Sequence, residues 1–173
     1  MNLIITSSRH LEPEAAEEMS EILEEFGDAN AVVEISDLSG ILTATTLLDP
    51  FLVVKKIREK ILDEPWMIRY CLRVIPLHDT VYTKKEDIVN SVLNHASIMQ
   101  PQDTYRITVE KRHSEISTSE IISEIADKIE NKVSLEKFDW IILIEIFGKR
   151  TGIAILKEEE ILSTQKVKRS LSE

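Results

Sequence analysis

The sequence predicts an α+β chain made of two small units, and three observations carry that prediction. Residues 1–75 alternate short apolar runs with amphipathic helical stretches in the order β-α-β-β-α-β. The second part repeats strand and helix patterns in a different order and contains Trp140–Phe147, nearly all apolar, as in a strand buried on both faces. Pro76 stands between the two. A length of 173 residues suits one domain or two small ones packed together, and is ample to bury a core.

Leu3–Thr6 reads as a short buried strand. The helix after it has Pro13 in its first turn and Gly27 just past its end, the asymmetry helix termini favour. Ala15, Met19, Ile22, Leu23 and Phe26 form its apolar stripe, and Glu14, Glu17, Glu18, Glu21 and Glu25 cover the rest. Residues 31–35 and 41–48 are strand-like, joined by a turn at 37–40. Asp49 and Pro50 supply an N-cap and first position for a second helix with Phe51, Val54, Ile57 and Ile61 on its core side. Residues 67–75 close the set as a strand. This order is the split βαβ arrangement of a ferredoxin-like fold.

Beyond Pro76, residues 77–82 form a weak strand and 83–86 (TKKE) a capping box for a helix through Ile88, Val92 and Ala96. Pro101 to Asp103 break the chain before a strand alternating Tyr105, Ile107 and Val109. A second capping box at 117–120 (STSE) opens a helix with Ile121, Ile122, Ile125 and Ile129 as its stripe. Residues 148–151 turn Trp140–Phe147 into a partner strand over 152–156. The expected organisation is residues 1–75 as an N-terminal ferredoxin-like domain, 76–160 as a second α/β domain, and 161–173 as a polar C-terminal tail.

Composition narrows the function. The longest wholly apolar run, 140–144, is far short of the roughly 20 residues a membrane span needs, and no signal-peptide pattern opens the chain. The expectation is a cytoplasmic protein with no membrane partner. The single cysteine, Cys71, excludes an intrachain disulfide and argues against a cysteine metal site. A formal net charge of −10 looks hostile to nucleic acid, yet residues 12–37 hold ten acids and no Lys or Arg, and the remainder carries 21 of each sign. A neutral body can carry a basic face. The acidic first helix is either a solvated face, a docking surface for a basic protein partner, or a face that keeps RNA from binding in the wrong orientation.

Catalytic signatures are missing: there is no glycine-rich phosphate loop, nucleophile elbow or dinucleotide fingerprint. His10, His78, His95 and His113 are scattered, none with a second ligand at metal spacing. No metal, cofactor or catalytic residue is expected. Three basic groups are more informative. In a strand over 67–75, Arg69 and Arg73 would share one face with Cys71, about 13 Å apart, either following a nucleic-acid backbone or making surface ion pairs. Lys111, Arg112 and His113 end one strand just ahead of a capped helix, where a helix N-terminus and adjacent cations suit phosphate. Lys149 and Arg150 stand at a hairpin tip, as a third cationic group or as a solubilising turn.

Three segments carry a resemblance to a known family: 105–113 (YRITVEKRH), the isoleucine helix that follows, and 133–146 (VSLEKFDWIILIEI) with its hairpin. Together they resemble a THUMP domain, the RNA-binding module of tRNA-modifying enzymes, with Phe138 replacing the first residue of the usual Pro-Asp pair. The first part resembles the ferredoxin-like domain that accompanies THUMP domains, and 73–77 (RVIPL) is similar to the form in stand-alone tRNA-acetylation adaptors. The resemblance implies a THUMP α/β domain after the ferredoxin-like one, and RNA contacts at Lys111 and Arg112. Because the sequence runs only to Glu173, it implies a binding protein and not an enzyme. Its expected partners are the acceptor stem and 3′ end of tRNA and an RNA acetyltransferase forming N4-acetylcytidine. Shape and phosphate recognition fit a chain with nine aromatic residues better than a base-stacking platform. The acidic balance departs from the usual tRNA binder. The rival expectation is an acidic interaction module with no RNA affinity of its own. A homodimer through an edge strand is also open.

Overall fold

Leu3, Ile4 and Ile5 are all buried, and a short apolar strand reaches that state when it lies between two others. The computed structural model, which describes residues 1–173, shows this arrangement. β1 (Leu3–Thr6) pairs antiparallel with β3 (Ile41–Thr45) on one side and β4 (Arg73–Pro76) on the other. With β2 (Val32–Ile35) and β10 (Leu162–Ser163) the sheet runs β10-β4-β1-β3-β2. Helices α1 (Glu12–Glu25) and α2 (Pro50–Asp63) bring Ala15, Met19, Ile22 and Leu23, and Val53, Val54, Ile57 and Ile61, into one core with Leu3, Ile5, Leu42 and Val74. The ferredoxin-like order is present, with one strand added at its edge.

Local chemistry explains the boundaries. Asp49 caps α2, its carboxylate accepting from the N–H groups of Phe51 at 2.9 Å and Leu52 at 3.4 Å. The helix turns Val53 inward, and Phe51, expected in the core, is only half-buried. The strand expected over 41–48 stops at Thr45 because Asp28 captures the next two residues, accepting from the Thr46 hydroxyl at 2.6 Å and the Leu47 N–H at 2.9 Å. Gly40 has φ +75°, and a Cβ there would stand 2.7 Å from the Ser7 carbonyl oxygen.

Two expectations about this unit are corrected. Residues 67–75 are not one strand: a 3-10 turn, Pro65–Met67, leads into irregular chain, and β4 starts only at Arg73. The Glu18 carboxylate accepts from the N–H groups of Arg69, Tyr70 and Cys71, at 2.5, 3.0 and 2.8 Å, and so occupies donors a sheet ladder would need. Nor are residues 161–173 a free polar tail. Leu162 pairs with Val74 and Ser163 with Arg73, and α5 (Thr164–Ser170) follows. Leu162 and Val167 enter the same core as α1 and α2, and the Thr164 hydroxyl donates to the Cys71 carbonyl at 2.8 Å. One compact unit is therefore Met1–Leu77 together with Glu159–Glu173, and the other is His78–Glu158. The division falls two residues later than expected, and the chain's end belongs to the first unit.

The second unit contains β5 (Asp79–Tyr82), α3 (Lys85–His95), β6 (Thr104–Arg112), α4 (Thr118–Lys128), β7 (Lys132–Val133), β8 (Trp140–Phe147) and β9 (Arg150–Leu156). Its sheet runs β5-β9-β8-β6-β7. β6 is parallel to β7 and β8, and the β8-β9 and β9-β5 pairs are antiparallel. α3 and α4 pack Ile88, Val89, Val92, Ile121 and Ile125 against Ile142, Ile144, Ile146, Ile153 and Ile155. Ile122, expected in the α4 stripe, is 37% exposed, because it follows Ile121 by about 100° around the helix. Ser117 caps α4 by accepting from the Glu120 N–H at 3.3 Å. The expected box at 83–86 does not form: Lys84 occupies the N-cap of α3, and the Thr83 hydroxyl bonds that of Thr151 at 2.9 Å. No helix is long and apolar enough to cross a membrane.

Candidate nucleic-acid interface

Strand register builds the candidate site at one end of the second sheet. Arg112 on β6 is the register partner of Phe147 on β8, Phe147 of Arg150 on β9, and Arg150 of Tyr82 on β5. Directly opposed residues share a sheet face, so four strand ends present a row of arginine, aromatic, arginine and aromatic side chains. The Arg112 guanidinium lies 5.1 Å from the centre of the Phe147 ring, and that of Arg150 lies 5.0 Å from the centre of Tyr82. These are cation–π distances. Tyr82 is 59% exposed.

The loops fix this edge. Gly148 and Lys149 form a two-residue connection between β8 and β9, and Gly148 has φ +55°, as tight hairpins require of their first central residue. The Gly148 N–H donates to the Arg112 carbonyl at 2.9 Å, and the Thr83 N–H to that of Lys149 at 2.9 Å. His113, with φ +54°, turns the chain out of β6. The Lys111 ammonium donates to the Ile116 carbonyl at 3.1 Å, on the loop ahead of α4. Tyr82, Thr83, Lys84, Ser114, Gly148 and Lys149 line a depression of about 230 Å³.

Arg112 has a second tie. Its guanidinium donates to Glu145 at 2.7 Å, and Glu145 is only 3% exposed. A buried carboxylate is costly without a partner, and a guanidinium supplies both charge and directed N–H groups. Arg112 is thereby held across the sheet face with its ring-facing side toward Phe147.

The structure thus brings Lys111, Arg112, His113, Lys149 and Arg150 to one sheet end through register and turn. Arg69 and Arg73 are elsewhere, in the first unit. They do not share a strand face with Cys71 as expected: both arginines are exposed, Cys71 is 1% exposed, and residues 68–72 are not a strand. Burial, with the nearby Glu18 charge second, pushes the Cys71 thiol up and keeps it protonated. The histidines are less scattered than the sequence suggests. His78 and His95 stack with ring centres 5.4 Å apart, the His95 Nδ1 facing the Ser91 carbonyl and the His78 Nδ1 accepting from the Ile155 N–H.

Sequence reasoning missed Tyr82, Phe147, Lys84 and Glu145. Glu145 left a signal, as the one charge in an otherwise apolar strand, which calls for a buried partner. Tyr82 and Phe147 left none, because their role depends on which strands are neighbours.

Residues 82–156 match the family model of the THUMP domain. The matched span begins at Tyr82, lies within the second unit and contains all four members of the row. No curated protein matches the chain. Among solved structures, the fold is similar to that of PH1313 from Pyrococcus horikoshii Ot3, with a TM-score of 0.70 and 16% identity over 91% of this chain and 55% of that one. TrmN from Thermus thermophilus has a TM-score of 0.56 and 11% identity, covering 90% of this chain and 45% of its own. A 4-thiouridine synthetase, solved as an RNA complex with bound ATP, has a TM-score of 0.55 and 11% identity, covering 90% and 41%. At these identities the likeness is one of fold, and this chain spans about half the length of those proteins or less.

Proposed function

We propose that the protein binds tRNA and presents it to a separate modifying enzyme without catalysing the reaction itself. The observation that carries this reading is the Arg112–Phe147–Arg150–Tyr82 row, with Lys111, His113 and Lys149 around it. Guanidinium groups pair with phosphate, and the exposed ring offers an edge against which sugar or base can pack. The THUMP match supports the RNA reading, as does a similarly folded 4-thiouridine synthetase solved with RNA. We propose further that the acceptor stem and 3′ end are the parts of tRNA held, in the cytoplasm, and that the enzyme served is an acetyltransferase forming N4-acetylcytidine.

Fluorescence anisotropy with unmodified tRNA, intact and trimmed of its single-stranded 3′ end, tests the binding step. With about five phosphates contacted, affinity falls by roughly two orders of magnitude between about 50 and 200 mM salt, and trimming the 3′ end weakens it further. Absence of binding at low salt defeats the proposal. Acetylation of tRNA by the candidate enzyme, with and without this protein, tests the second step.

A second reading has its own observation. Glu14, Glu17, Glu21 and Glu24 lie three or four residues apart on α1, exposed and without a partner in the chain. That stripe suits a basic protein surface. Failure to bind RNA, together with salt-sensitive association with a basic protein partner, would favour it.

A further inference from the structure

The return of the chain's end to the first unit collects basic residues that lie far apart in sequence. Ser163 is the register partner of Arg73, and the Thr164 N–H donates to the Leu72 carbonyl at 3.0 Å. The Lys168 ammonium donates to the Ile68 carbonyl. Helix α5 therefore lies along the segment 68–73, which carries Arg69 and Arg73. Thr164 and Val167 form its buried side. Lys166 and Arg169, three positions apart, share the exposed side.

Arg69, Arg73, Lys166 and Arg169 are all exposed, and their side chains make no hydrogen bond or ion pair within the chain. Residues 161–172 contain no Asp or Glu. The carboxylate in contact with this segment is Glu18, and it is occupied by the N–H groups of Arg69, Tyr70 and Cys71. A chain of net charge −10 thus places four cations without an ion-pair partner in one corner, with the single charge of Glu18 beside them. Four like charges against one carboxylate repel one another, a cost that a polyanion relieves on binding. These are long exposed side chains with no buried polar anchor, so each contributes charge and little geometry. That suits a repeated phosphate, where contributions add, better than a single small anion.

We propose that this corner of the first unit, Arg69, Arg73, Lys166 and Arg169, contacts the phosphodiester backbone of RNA independently of base sequence. The inference rests on the RNA-binding reading above and adds to it a site outside the THUMP match.

The test uses the full chain and a synthetic RNA hairpin with a single-stranded 3′ tail, followed by anisotropy over a salt series. Lys166→Glu with Arg169→Glu is expected to lower affinity about tenfold at roughly 0.1 M salt and to make the log–log salt slope shallower by about 2, one per lost contact. Its thermal midpoint stays at the wild-type value, and the Gln pair gives a smaller loss of the same kind. Lys149→Glu with Arg150→Glu is the parallel variant at the second sheet. Unchanged affinity and slope in the folded 166/169 variant, with a loss in the 149/150 variant, would overturn this corner and leave the proposed function standing. No binding by the wild-type protein would overturn both. Competition by polyglutamate as strong as that by the hairpin would overturn the corner as an RNA contact and mark it as a surface for acidic protein.

Discussion

The basic end of the second sheet and the basic corner of the first unit differ in what holds their cations in place. Arg112 is clamped between a buried carboxylate at 2.7 Å and the Phe147 ring, and Arg150 rests on Tyr82. Arg69, Arg73, Lys166 and Arg169 are placed only by their backbones. A clamped guanidinium has already lost most of its rotamer freedom, so it directs a ligand at little further entropic cost. A free cation contributes charge but no orientation. On the proposed RNA-binding reading, the first region would fix register on the ligand and the second would add affinity that salt can remove.

Breaking the clamp should have the largest effect. Arg112→Ala leaves Glu145 buried without its guanidinium and should cost about 3 kcal/mol of stability, read by chemical denaturation. A loss below about 1 kcal/mol would place the pair among ordinary surface ion pairs and remove the contrast. Next in size is Glu18→Ala, which deprives the loop carrying Arg69 of one acceptor for three N–H groups. It should cost about 2 kcal/mol and speed amide exchange at residues 69–71. Unaltered exchange there would mean that the corner's backbone is held by other contacts.

Tyr82→Ala separates orientation from charge, since every cation remains. RNA affinity should fall about threefold, the scale of one exposed cation–π contact, with the salt slope unchanged. A changed slope would show that Tyr82 positions a phosphate contact and not only the Arg150 side chain. The last prediction concerns acid. The Thr46 hydroxyl, then the Leu47 and Asn30 N–H groups, hold the Asp28 carboxyl below the usual range. Its folded value lies below its unfolded one, so its contribution is fully present above about pH 4 and disappears as pH falls through the folded value. The stability difference between wild type and Asp28→Asn should therefore shrink on acidification below about pH 4. A difference that persists in strong acid would assign the effect to packing.

Legibility followed the range of the interactions involved. Helix stripes such as Met19–Ile22–Leu23 and Ile121–Ile125 were readable because residues three and four apart share a helix face whatever surrounds them. The Asp49 and Ser117 caps were readable because their partners lie two or three residues away. Thr83 shows the limit: the same local pattern lost to a hydroxyl partner in β9. The strand over 67–75 failed for the same reason, since Glu18 took its N–H donors from 51 to 53 residues away. Leu162 and Val167 were too sparse to mark the end of the chain as structured, yet both are buried.

The amino-acid order alone specified where α1 to α4 and the strands β1, β2, β3, β5, β6, β8 and β9 fall, the ferredoxin-like order of the first unit, and the basic character of 111–113 and 149–150. These depend on periodicity, caps and adjacency, which are properties of neighbouring residues. It took the folded chain to bring Arg112, Phe147, Arg150 and Tyr82 into one row, to set Glu145 against the first of them, and to return the chain's end beside Arg69 and Arg73. Those outcomes depend on which strands pair and in what register, and register is set by burial and hydrogen bonding summed over a whole sheet.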